Sequence, residues 1–102
     1  MQPQPAARVP VPIPRVSRVI VVLPAYNEEA NIGNLLRGIF ESLTDDHLGF
    51  SVIVVDDGSS DQTHQIVQDY SREFPISVER HEQNQGLGAT LRDGLRQAVA
   101  GA

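Results

Sequence analysis

The chain has no cysteine and no lysine. Without cysteine, neither a disulfide nor a thiolate metal site can form, and cysteine usage says nothing about the redox compartment. Without lysine, one common phosphate-binding side chain is missing, and arginine carries all the positive charge. The formal net charge of −5 excludes electrostatic capture of nucleic acid, which needs a basic face. It equally excludes a polybasic membrane anchor. Long apolar runs are also absent. The longest candidate, Val19 to Leu23, ends at Pro24 and is far too short to span a bilayer. Pro3, Pro5, Pro10, Pro12 and Pro14 break up the start of the chain, which argues against a secretory signal. A cytoplasmic protein, or the cytoplasmic part of one, is expected. What remains is 102 residues, 40% of them hydrophobic: enough for one small domain with a core.

Residues 1–15 read as a disordered or extended proline-rich tail, because proline neither donates to a ladder nor sits inside a helix. The domain is expected over residues 16–102. Val19 to Leu23 is an uninterrupted apolar run, the pattern of a strand buried on both faces of a parallel sheet, with Pro24 ending it. Asn27 is placed as a helix N-cap, with Glu28 and Glu29 in the first turn. Ile32, Leu35, Leu36, Ile39, Phe40 and Leu43 then recur at helical spacing. Gly33 and Gly38 weaken this helix without overturning it. After a loop from Thr44 to Gly49, Ser51 to Val55 forms a second buried strand. A second helix carries Ile66, Val67, Tyr70 and Phe74 and stops at Pro75. Ile76 to His81 alternates as an edge strand with one wetter face. Leu87, Leu91, Leu95, Ala98 and Val99 supply the apolar stripe of a third helix. The order β-α-β-α-β-α, with right-handed crossovers, predicts an α/β fold with one parallel sheet ordered 3-2-1. The first strand, the most apolar, would then lie exposed as an edge unless another segment or chain covers it.

Ligands of open parallel sheets bind beyond the carboxyl ends of the strands. Three segments fall there: Pro24 to Glu29, Asp56 to Asp61, and Glu82 to Gly88. Each leads into a helix N-terminus, which attracts phosphate. A carboxylate among them can accept from a base N–H or a ribose hydroxyl, and Tyr26 can pack on a base. Taken singly, each segment is also ordinary turn and capping chemistry. A dinucleotide-binding fingerprint does not fit. The first strand-to-helix turn has no glycine, and Gly86-Leu87-Gly88 follows the third strand with Leu91 where a glycine is needed. No phosphate-binding P-loop occurs either.

Read together, the three segments resemble the start of family 2 inverting glycosyltransferases with the GT-A fold, a three-layer, Rossmann-like architecture. The matching stretches are Val21 to Ile32, Val52 to Thr63, and Asn84 to Leu95. The third is similar to polyprenyl-phosphate sugar transferases of the dolichol-phosphate mannose synthase kind. The resemblance implies that Pro24, Ala25, Tyr26 and Glu28 line a nucleoside pocket. Val55 and Asp57 would flank the base, with Asp57 accepting from its N–H groups, while Asp56 either joins them or braces the turn. Gly86 and Gly88 would allow close approach of the third loop, with Asn84 fixing it. No catalytic base falls among these residues. The implied donor is a UDP or GDP sugar, and the implied acceptor a polyprenyl phosphate, met at the cytoplasmic face of a membrane.

The family's D-x-D-type motif, which holds magnesium or manganese against the diphosphate, has no counterpart here, so no metal ligand is assigned. The chain is therefore expected to be a truncated, N-terminal part of a glycosyltransferase, inactive or nearly so by itself. His47, His64 and His81 lack ligand spacing and are expected to be exposed or capping. One alternative is a non-catalytic remnant that binds a nucleotide, or a partner through its sheet edge. Another is a nucleotidyltransferase, against which stands the lack of a glycine-rich basic loop after the first strand.

Overall fold

The computed structural model describes residues 18–43 and 49–100. The proline-rich segment, most of the 44–49 loop and His47 lie outside the described residues. Six elements follow in the expected order: β1 (Arg18–Ala25), α1 (Ile32–Leu43), β2 (Gly49–Asp56), α2 (Thr63–Ser71), β3 (Ile76–Arg80) and α3 (Leu87–Ala100). The sheet is parallel and ordered β1-β2-β3, as the pattern predicts. Among the described residues β1 pairs with β2 alone and forms an edge. Register brings Ala25 level with Asp56, and Asp56 level with Arg80. All three strands therefore end at one height, and their following loops emerge side by side.

One face of the sheet is covered by α1 and α2. Period-2 alternation sends Ala25, Val52 and Val54 to this face, where Ile32, Leu36 and Phe40 of α1 and Val67 of α2 meet them in a buried cluster. Phe40 stacks on Phe74 with ring centroids 4.4 Å apart. On the opposite face, α3 crosses β1 and β2. The helices thus sit on both sides of the sheet, a three-layer arrangement of the Rossmann-like kind.

Three local readings need correction. Pro24 does not end β1 but sits within it, opposite Val55. An edge strand tolerates proline, since an N–H on its open side has no ladder to join. Asn27 is not the N-cap of α1. Its backbone takes a left-handed φ of 50°, and a separate turn from Glu28 to Ile32 precedes α1, which begins at Ile32. Glu28 and Glu29 therefore lie ahead of the first turn, which holds no acidic residue. The third correction concerns α3, whose leucine stripe faces outward: Leu87, Leu91, Leu95 and Val99 are exposed, while Thr90 and Gly94 are the buried positions. The physical reason is close approach. A methyl group at Gly94 would overlap Val22 Cγ1 and crowd Val55, so the helix rests on β1 and β2 through its smallest residue.

Candidate functional site

The first two loops are locked together by reciprocal bonds. The Asn27 N–H donates to Ser59 Oγ at 2.9 Å, and the Ser60 N–H donates back to Asn27 Oδ1 at 2.9 Å. One residue on, the Glu28 N–H donates to Thr63 Oγ1. The Glu29 N–H donates to Asp61 Oδ2, while the Gln62 N–H donates to Glu29 Oε2. Asn27 thus spends its side chain on bridging, and the left-handed backbone that asparagine tolerates makes the geometry possible. Burial opposes ionisation of Asp61, but bonds from Thr63 and Glu29 outweigh it and lower its pKa. Asp56 braces the second turn: its fully buried carboxylate accepts from the Ser59 N–H through Oδ1 at 3.0 Å. His64 Nδ1 and Arg80 Nε lie 3.5 and 3.6 Å from Oδ2.

Asp57 organises the third loop. Its Oδ1 accepts from the Gln85 N–H at 2.7 Å and from His81 Nδ1 at 2.8 Å, and its Oδ2 accepts from the Gly86 N–H at 2.9 Å. Gly86 can present its amide because it adopts φ 94°, a conformation open mainly to glycine. Burial raises the cost of the Asp57 charge, yet the bonds from His81, Gln85 and Gly86 together hold its pKa below the ordinary value. A carboxylate oxygen accepts two hydrogen bonds. Oδ1 is filled, and Oδ2 retains one acceptor direction.

His81 is neither exposed nor a cap, contrary to the expectation from its spacing. It is 6% exposed, and its Nε2 lies 2.7 Å from Asp93 Oδ2 on α3. Its backbone N–H donates to the Asp56 carbonyl, which carries β3 pairing one residue past the strand and turns the ring inward beside Asp57. The bond to Asp57 raises the His81 pKa; burial opposes this, and Asp93 reinforces it. Asp93 is lowered in turn, chiefly by His81. The only sequence signal for this bracket is positional: parallel register sets the residue after β3 beside the residue after β2.

A cleft of about 330 Å³ opens at this edge, lined by Pro24, Ala25, Tyr26, Glu28, Asp57, Asn84, Gly86, Leu87 and Thr90. That volume lies at the lower end of the range for ligand pockets. Six of the eight residues singled out from sequence share this lining; Val55 and Gly88 do not. Val55 is fully buried beneath α3. Gly88 has open space where a side chain would be, so close approach does not explain it. Tyr26 is 47% exposed and leaves its ring available at the rim. Leu87 and Thr90 fall within the third matching stretch but were not singled out from the sequence as site residues. Thr90 is buried and donates to the Gly86 carbonyl at 2.7 Å, which fixes the start of α3 under the cleft.

The described residues do not fit the divalent metal implied by the resemblance. Glu79, His81 and Asp93 gather their ligand atoms within 4.8 Å, but both His81 ring nitrogens are already engaged by carboxylates at 2.8 and 2.7 Å, contacts that favour protons on the ring over a cation beside it. Asp57 faces three N–H donors. Among the described residues no helix is long and apolar enough to cross a membrane.

Comparison with known proteins gives a consistent result. Residues 20–100 match the profile of glycosyl transferase family 2. The chain is 33% identical over 81 residues to a dolichol-phosphate mannosyltransferase of Pyrococcus furiosus, covering 79% of this chain and 22% of that protein. It is 30% identical over 105 residues to a dolichyl-phosphate beta-glucosyltransferase of Trichomonas vaginalis, covering 92% and 32%. It is 30% identical over 93 residues to a UDP-N-acetylglucosamine–dolichyl-phosphate N-acetylglucosaminyltransferase of Methanococcus voltae, covering 78% and 35%. The chain thus spans a minor share of the length of each of these relatives.

Proposed function

The chain belongs to glycosyl transferase family 2, and we propose that it forms the nucleoside side of the donor pocket in an enzyme that transfers a sugar from a UDP or GDP sugar to a polyprenyl phosphate. The observation that carries this reading is the Asp57 carboxylate. Two backbone amides and His81 hold it at the cleft, with one acceptor direction of Oδ2 uncommitted. A base N–H is the complementary donor. Tyr26 stands at the rim to pack against a base, and Pro24, Ala25 and Glu28 complete the wall. The dolichyl-phosphate relatives support the acceptor class.

Transfer with inversion follows from direct displacement at the anomeric carbon. A phosphate acceptor is already anionic and needs no base to activate it. Magnesium or manganese would neutralise the departing diphosphate, held by residues outside this chain. A cytoplasmic membrane face as the place of action belongs to the same proposal, since a polyprenyl phosphate is met at a membrane surface. The chain alone is expected to bind nucleotide without transferring sugar.

Calorimetric titration of the chain with UDP, GDP and their sugars tests this. One nucleotide should bind, and Asp57→Ala should weaken it by about tenfold or more, the loss of a charged hydrogen-bond acceptor. Binding that is indifferent to Asp57→Ala would overturn the pocket assignment.

A further inference from the structure

His81 does not line the cleft, yet it holds the residue on which the cleft depends. Two carboxylates from separate elements close on its ring, Asp57 from the end of β2 and Asp93 from the second turn of α3, at 2.8 and 2.7 Å. A neutral imidazole has one N–H and one lone pair, so one of these contacts would set lone pair against lone pair. Both contacts are satisfied when both ring nitrogens carry protons. We propose that His81, as an imidazolium bracketed by Asp57 and Asp93, is a positioning residue for the nucleoside pocket, holding Asp57 in place to receive the Gln85 and Gly86 amides. The ligand's identity rests on the donor-pocket reading above; the bracket itself does not.

The surrounding charges make the ring's proton matter. Glu79 approaches from β3 itself, Asp57 from β2 and Asp93 from α3. Arg92 lies 3.6 Å from the outer oxygen of Asp93, with Arg96 also acting on that carboxylate. Arg80 is directed away, toward Asp56. When the ring loses a proton, it can serve only one of its two carboxylates. If Asp57 is released, it keeps the Gln85 and Gly86 amides alone, and the bond that fixes its Oδ1 from the β3 side is lost. If Asp93 is released, α3 loosens from β3, and the Gly86–Leu87 junction moves with it. Either outcome disturbs the same wall.

Nuclear magnetic resonance titration of the 102-residue chain, followed by nucleotide binding across the same pH range, tests the proposal. The His81 ring should titrate above the ordinary value of 6.5, and the Gln85 and Gly86 amide resonances should follow the same midpoint. Affinity for UDP or GDP should fall on the order of tenfold across it, the scale of one charge-assisted bond. Asp93→Asn, at the more exposed end of the bracket, should lower the midpoint while the chain stays folded. His81→Gln should bind with no pH dependence in this range. Gln85 and Gly86 amides that ignore the His81 titration, or a His81→Gln variant that keeps the wild-type pH profile, would overturn it. If no nucleotide binds at any pH while the amides still follow His81, the donor-pocket reading fails and the positioning role stands.

Discussion

Asp57 and His81 have opposite linkage to pH, and their pairing bounds the stability of the fold from both sides. His81 has a raised folded pKa. Its contribution is complete below 6.5, declines above that, and is gone once pH passes the folded value. Asp57 and Asp93 have lowered folded pKa values. Their contribution is complete above the ordinary 3.8 and is lost as pH falls through the lowered values. Thermal unfolding followed across pH should therefore show a plateau between about pH 4 and 6.5 with a descent on each side. His81→Gln should remove the alkaline descent and reduce the acid one, because Asp57 and Asp93 lose the partner that lowers them. An alkaline limb unchanged in His81→Gln would place its origin elsewhere. At this scale the sequence was legible for Asp57, since a carboxylate just beyond a buried strand stands where parallel sheets bind ligands. It was not legible for His81, whose partners lie 24 and 12 residues away and meet it only through sheet register and the packing of α3.

Elements were easier to place than their faces. The apolar runs of β1 and β2 and the helical spacing of α1 and α2 gave the right order, although Val19 to Leu23 are only half-buried at the open edge of the sheet and Leu35 of the α1 stripe is exposed. In α3 the periodicity was real and the inference from it failed. Leu87, Leu91, Leu95 and Val99 form a row at four-residue spacing, yet the sheet takes the Thr90–Gly94 row instead. Hydropathy cannot report this, because the choice is made by how closely two backbones can approach. Substitutions should separate the rows. Gly94→Ala forces a methyl group into Val22 and should cost about 1–3 kcal/mol despite better helix propensity. Leu95→Gln on the exposed row should stay within about 0.5 kcal/mol, whereas Leu36→Ala in the α1 core should cost about 2–5 kcal/mol. Denaturant unfolding of the three variants measures the contrast, and a Leu95→Gln cost matching Leu36→Ala would mean that the leucine row is the packed one. The corrections at Pro24 and Asn27 have a similar origin. Proline is tolerated at an open strand edge, and Asn27 is diverted from capping by a second loop that sequence spacing alone does not bring near.

At the scale of the whole molecule, three strand ends at one level set the cleft on a chain of net charge −5. An anionic nucleotide approaching it meets repulsion from the surroundings and, among the described residues, attraction from the start of α3. A divalent cation would relieve that repulsion if the cleft could hold one. The cleft wall has two carboxylates, Asp57 and Glu28. Asp57 already shares its charge with three N–H donors, and its one remaining acceptor direction is the one a base N–H would take; that leaves Glu28 as a single ligand, and a lone carboxylate on a loop does not fix the octahedral geometry magnesium demands. Magnesium or manganese should therefore change the affinity for UDP or GDP by no more than about threefold. That residue of effect, arising from the ligand's reduced charge against an acidic protein, should vanish as salt shortens the screening length to below about 10 Å. Paired titrations with and without the metal, at low and high salt, read this directly. A tightening of tenfold or more that survives high salt would show that the cleft does hold the ion, and would move the metal site of the proposed enzyme into this part of the chain.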